Sequence, residues 1–264
     1  MPDLELVICG RNRLENGSMA AWAKAYAANG GVKTIKMTQN GIRQEGITHL
    51  LTNGLSHLPK LETLDLQDNT FTAMGANALS SVVGKWTNLR ELGVGDCLLG
   101  GRGGVALASA LEKGQNKKVE ILRLQFNDIN AKGLAGLASA ATSSLPALRR
   151  VELNGNKFDE EDSSIEKLRE VLDARKEESG EHEDDEEYWG LDELDELESE
   201  DEDDEESDAE EKRGADSDEE GVEVEEKAAR QIIDEKQAEE SNVSQEKDKK
   251  VDDLADVLAK TEIK

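Results

Sequence analysis

Apolar residues in the first two thirds of the chain fall into a short phrase that returns six times. It is plainest in LETLDLQDNTF, where Leu61, Leu64, Leu66, Asn69 and Phe71 stand at positions 1, 4, 6, 9 and 11. Aligned on the ninth position, the copies carry Asn12, Asn40, Asn69, Cys97, Asn127 and Asn156, at intervals of 28, 29, 28, 30 and 29 residues. Positions 4 and 6 share one side of an extended segment, so Leu64 and Leu66, or Leu122 and Leu124, point into a common core. The ninth side chain ends the strand and can bond backbone groups of the adjoining turn. The six ninth residues are therefore expected to form a ladder that satisfies polar groups inside a tight coil. Strands are predicted over 4–9, 32–37, 61–66, 89–94, 119–124 and 148–153.

Six residues past the ladder position, four copies carry glycine: Gly46, Gly75, Gly103 and Gly133. A missing side chain there would let the following helix start close against its strand. Helical apolar positions follow, as in Leu50, Leu51, Leu55 and Leu58, or in Val105, Leu107, Ala110 and Leu111. A fixed period with L-x-x-L-x-L-x-x-N/C marks a leucine-rich repeat, and a length near 29 leaves room for a full helix in each unit. The expected fold is an α/β solenoid of the ribonuclease-inhibitor type, with parallel strands on the concave face and helices on the convex face. The sixth copy has Asp162 at the glycine position and runs into SSIEKLREVLDARK, which reads as a terminal helix with a polar outer face. The first copy begins at Leu4 with little ahead of it, so an N-terminally incomplete repeat domain is expected.

Charge divides the chain at about residue 176. Residues 1–176 hold 22 Lys plus Arg against 20 Asp plus Glu, while 177–264 hold 10 against 40. The repeat domain, 1–176, is nearly neutral, and the acidic region, 177–264, is expected to be largely disordered because such runs bury too little apolar area to offset chain entropy. The run 198–226 shows this most fully. Two islands are less polar. Tyr188, Trp189, Leu191, Leu194 and Leu197 lie within ten residues. This island reads either as a segment docked on the last repeat or as a nuclear-export-like leucine spacing, which lacks its final apolar position. Val251, Leu254, Val257 and Leu258 form one helical stripe, expected as a transient helix or a partner-binding segment.

Candidate chemistry is sparse. No apolar stretch approaches the roughly 18 residues of a membrane span, and no secretory leader is visible. Cys9 and Cys97 take strand and ladder positions, which suits a reducing compartment. The sequons at Asn16 and Asn242 are then chance matches. LLGGRGGVA lacks the ending a phosphate loop needs. His49, His57 and His182 stand apart from any cysteine at zinc spacing. No cofactor, no metal and no active site of the chain's own are expected. What remains is a rim of loop residues beside the ladder: Arg11 and Arg13, Gln39, Gln67 and Asp68, Asp96, Asp128 and Asn154. Repeat proteins bind partners along such rims, although each of these residues also suits an ordinary solvated turn. Arg11 and Arg13 flank a ladder residue, and arginine favours bidentate contact with carboxylates.

The stretches ICGRNRLENGSM, LDLQDNTFTAMG, LRELGVGDCLL, LRLQFNDI and VELNGNKFDEED resemble the fungal Ran GTPase-activating protein family over residues 4–176. That family combines long leucine-rich repeats with an acidic C-terminal region. The resemblance implies stimulation of GTP hydrolysis by GTP-bound Ran in nucleocytoplasmic transport, with a Ran-binding protein as accessory partner. It implies a cytoplasmic, perinuclear location, no membrane and no direct nucleic-acid contact. In the family an asparagine from an earlier repeat positions the glutamine of Ran, helped by an N-terminal arginine. Those repeats lie outside the six copies here, so no catalytic residue is carried over. The rim residues Arg11, Arg13, Gln39, Asp68 and Asp96 are the expected Ran contacts. The competing reading is a non-catalytic acidic repeat protein of the histone-chaperone sort, whose repeats are nearer 24 residues.

Overall fold

The computed structural model describes residues 4–180 and 188–198. The acidic run from residue 199 onward, the stripe at 251–258 and His182 lie outside the described residues. Seven parallel strands form one sheet in strict chain order: β1 Leu6–Ile8, β2 Thr34–Lys36, β3 Thr63–Asp65, β4 Glu91–Gly93, β5 Ile121–Arg123, β6 Arg150–Glu152 and β7 Gly190–Leu191. Six lie inside the expected segments, each reduced to three residues because the chain turns away at the ladder. Equal repeat positions pair: Val7, Ile35, Leu64, Leu92, Leu122 and Val151 stand side by side, and Leu191 of the seventh strand completes the row.

Between strands run α1 Met19–Ala27, α2 Gln44–Asn53, α3 Thr72–Val82, α4 Gly100–Glu112, α5 Ala131–Ser143 and α6 Ser163–Ser179, each packed on the next. A period of 28 to 30 residues forces this alternation, since no unit can bury its apolar face alone. Val105, read as an inward helix position, is instead exposed on α4. The N-caps of α5 and α6 are explicit. Asn130 accepts from the Gly133 amide at 3.0 Å, and Asp162 accepts from the Ser164 amide at 2.7 Å. Asp162 thus replaces the glycine of earlier copies with a cap.

The repeat glycines work differently from the expectation. They sit within the helices, and the close approach they permit is to the position-11 side chain of the same repeat and to the preceding repeat rather than to the strand. A Cβ at Gly103 would lie 2.7 Å from the Cβ of Ala76 on α3, and one at Gly133 would lie 3.3 Å from the backbone of Gly104 on α4. Small residues at this seam set the helix–helix spacing.

The core is continuous from Met19 to Leu172, with Leu194 packed onto its far end. Trp86 is fully buried and donates from Nε1 to the Leu55 carbonyl at 2.9 Å. Asn116 is buried too, and its amide donates to the carbonyls of Val83 (2.9 Å) and Trp86 (3.1 Å). It joins one repeat's helix exit to the next. Nothing in the ladder pattern pointed to it.

The described part of the repeat unit continues to Glu198, past the residue at which charge divides the chain. Residues 188–198 lie as a strap along β6. Gly190 N–H donates to the Arg149 carbonyl at 2.8 Å, and Glu198 N–H to the Asn156 carbonyl at 2.9 Å. The guanidinium of Arg149 stands 5.7 Å from the Tyr188 ring centre and 5.9 Å from that of Trp189, within reach of a cation–π attraction. Of the two readings of this island, docking on the last repeat is the one the structure adopts.

Candidate interaction rim

The ladder fixes the rim, so its bonds come first. Asn69 Oδ1 accepts the backbone N–H groups of Asn40 (3.2 Å) and Ile42 (3.1 Å) in the preceding repeat. Its Nδ2 donates back to the carbonyls of Met37 (3.0 Å) and Leu66 (2.8 Å). Asn127 and Asn156 repeat this arrangement. Cys97 breaks it. Its thiol donates to the Gly95 carbonyl at 3.3 Å, and its own carbonyl takes the Phe71 amide at 2.9 Å. Burial pushes the Cys97 thiol up to about 12, so it stays protonated as a donor. Asn12, at the first rung, is exposed and its side chain reaches only the Gly10 carbonyl, at 2.8 Å.

Position 8, just before the ladder, is the strip on which the expected contacts meet. Arg11, Gln39, Asp68 and Asp96 occupy it in four successive repeats, followed by Phe126 and Gly155. All six are in the left-handed region, with φ of 59°, 52°, 56°, 49°, 54° and 68°. The cause is the rung geometry. In the first five copies the position-8 N–H donates to the position-7 carbonyl of the next repeat, from Arg11 to Thr38 at 2.9 Å through to Phe126 and Asn154 at 2.9 Å, whereas Gly155 in the last copy donates to Asn154 Oδ1 at 3.0 Å. A backbone turned to make that bond directs the side chain outward. Arg13, two residues beyond Arg11, is also left-handed, with φ of 49°. Arg11, Gln39, Asp68 and Asp96 therefore share one strip and Arg13 lies just beside it, while Gln67 and Asn154 stand at position 7 and Asp128 at position 10.

Charge changes along that strip, from Arg11 and Arg13 at one end to Asp68 and Asp96 in the middle. Partial burial, then hydrogen bonding and repulsion from Asp96, raise the Asp68 carboxyl above its usual range, and Arg11 opposes the shift. Asn154 of the rim is turned to another use: its Nδ2 donates to Asp195 of the strap at 2.8 Å. Sequence reasoning missed Phe126 and Leu98, both exposed and both left-handed, at 54° and 57°. Their apolar character reads as core. The ring of Phe126 lies over Gly155, where a Cβ would come within 2.1 Å of it.

The open face of the sheet is ion-paired across repeats. Arg123 stands 3.5 Å from both Glu91 and Glu152, and Glu120 meets Arg90 and Arg149. Among the described residues no group of His, Cys, Asp and Glu could hold a metal ion, and no helix is long and apolar enough to cross a membrane.

Comparison with known proteins agrees with this picture. A family model described as Leucine Rich repeat matches residues 57–80 and 115–138. The chain is 36% identical over 176 residues to Ran GTPase-activating protein 1 of Saccharomyces cerevisiae, an overlap of 65% of this chain and 43% of that protein. The chain thus spans less than half the length of this relative.

Proposed function

We propose that this chain forms part of a GTPase-activating protein for Ran, to which it contributes six repeats and their rim. The observation that carries the reading is the similarity to the yeast activator over 176 aligned residues, 65% of this chain. The shared left-handed strip supports it, because Arg11, Gln39, Asp68 and Asp96 are projected along one line. Acceleration then acts on the active site of the partner GTPase rather than on one of the chain's own. Where a single group is supplied to a GTPase transition state, the gain is about 10³ to 10⁵ in rate. The resemblance puts the glutamine-positioning asparagine on a repeat outside the six copies here. In this reading residues 1–176 bind GTP-loaded Ran, accelerate hydrolysis little when alone, and act in the cytoplasm on the nuclear transport cycle.

Single-turnover hydrolysis and direct binding test this together. The chain should bind GTP-loaded Ran, and exchanging both Arg11→Glu and Arg13→Glu should weaken binding by about tenfold or more. The hydrolysis rate should stay within about tenfold of the intrinsic one. Failure to bind GTP-loaded Ran would overturn the reading. Acceleration by three orders of magnitude would keep the activator but place its catalytic groups within residues 1–176.

A further inference from the structure

Two large apolar side chains stand on the rim among solvated ones. Leu98 is 51% exposed and Phe126 is 45% exposed, and neither belongs to the core. Both have the left-handed backbone, at φ of 57° and 54°, which bulky side chains rarely adopt. Ladder bonds impose it. The N–H groups of Cys97 and Leu99, on either side of Leu98, both donate to Asn127 Oδ1, at 3.0 and 3.3 Å. Phe126 immediately precedes that asparagine, and its own N–H donates to the Asn154 carbonyl at 2.9 Å. One rung thus holds both residues in place. Gly155 lies beneath the Phe126 ring, where any Cβ would collide with it, so the ring is seated on backbone while nearly half of the residue stays open. Left-handed backbone at two exposed apolar residues costs strain and returns no core packing, the pattern of a site kept for a partner.

We propose that Leu98 and Phe126 are the apolar anchor by which the rim holds the GTP-loaded GTPase, packing against an apolar side chain of that partner. The inference deepens the activator reading and rests on it. Continuity selects the occupant. Phe126 stands at position 8 and Leu98 at position 10, the two rows that carry Arg11 and Arg13 in the first copy. Four steps of about 4.8 Å separate the rungs of Arg11 and Phe126, or about 20 Å along the strands, which one partner face of ordinary size covers. A partner seated on the arginines and laid along the strip therefore ends on the apolar pair. Charge sets what borders the contact. Asp96 and Asp128 follow the same two rows, two residues before Leu98 and two after Phe126. The apolar side chain of the partner is accordingly flanked by lysine or arginine. Interfaces draw most of their energy from a few such anchors within a polar surround, and side chains already held by a rung lose little freedom on binding.

The test measures binding of GTP-loaded Ran to the full chain at about 50 and about 300 mM salt, which bracket weak and strong screening. The double change Leu98→Ala and Phe126→Ala should weaken binding at least tenfold at both salt concentrations, because an apolar contact is not screened. Both side chains are exposed, so this variant should keep its thermal midpoint. The pair Arg11→Glu and Arg13→Glu should lose part of its effect at the higher salt. Val105→Ala removes an exposed apolar side chain from α4, away from the strip, and should change affinity less than twofold. Unchanged affinity in the Leu98 and Phe126 variant, beside a loss from the arginine pair, would overturn the anchor and leave the activator reading standing. A loss that vanishes at the higher salt, or an equal loss from Val105→Ala, would overturn it too. If the unaltered chain does not bind GTP-loaded Ran, the anchor and the activator reading fall together.

Discussion

The ladder residues look alike in sequence yet carry very different weights, because position within the stack decides how many bonds each makes. Asn69 satisfies two buried amides of the previous repeat and two carbonyls, while exposed Asn12 reaches one carbonyl of its own loop. A buried donor left without a partner costs about 1 to 3 kcal/mol. Asn69→Ala should therefore destabilise by about 3 kcal/mol or more, and Asn12→Ala by less than about 1 kcal/mol. Urea unfolding of both variants checks this, and similar losses would mean that the ladder is not what holds the turns. The ladder was legible because a polar residue recurring at a fixed spacing inside an apolar phrase must find the same backbone partners in every turn. The left-handed strip was not. Arginine, glutamine, aspartate, phenylalanine and glycine share position 8, so no glycine signature betrays the backbone there. Its outward aim comes from a rung bond that only the stacked structure shows.

Among the elements, the strands followed from alternation and the helices from the period, but the seam between helices did not. A glycine six residues past the ladder is equally consistent with room for a strand and room for a neighbouring helix. Choosing between them needs the packing partner. With a Cβ at Gly103 only 2.7 Å from that of Ala76, Gly103→Leu should push α3 and α4 apart and cost about 2 kcal/mol. Gly84 is the contrast: a Cβ there meets only the Gln115 side chain, at 3.5 Å, and its φ is not left-handed. Gly84→Ala should be neutral or stabilise by about 0.4 to 1 kcal/mol through the unfolded chain. Thermal unfolding separates the two, and equal behaviour would remove the seam as the reason for the glycines. The strap shows the same limit. Its aromatic and leucine content marked it as able to dock, yet a two-residue strand such as β7 has no alternation to read.

At the scale of the molecule, stability in a stacked array is a sum of repeat and neighbour terms, so an end matters through the one neighbour it covers. Among the bonds by which the strap covers the last repeat are those of Asp192, whose carboxylate accepts the Leu153 amide at 2.7 Å and the Asn154 amide at 3.0 Å. Burial raises the Asp192 carboxyl, against the pull of those two amides and of Arg150. The native state therefore holds its proton more tightly than the unfolded chain does. What Asp192 contributes is accordingly greatest in acid and diminishes as pH rises through its native value. Its negative charge is thus not what the site needs at neutral pH; its acceptor atoms are. Asp192→Ala should cost about 2 kcal/mol, whereas Asp192→Asn, which keeps one acceptor oxygen, should cost less than about half as much. The loss should also be local. Amide exchange at Leu153 and Asn154 should quicken more than about tenfold in the alanine variant, while amides of β3, three repeats away, keep their wild-type rates. Faster exchange at β3 as well would mean that the array opens as one unit and that the strap stabilises all of it.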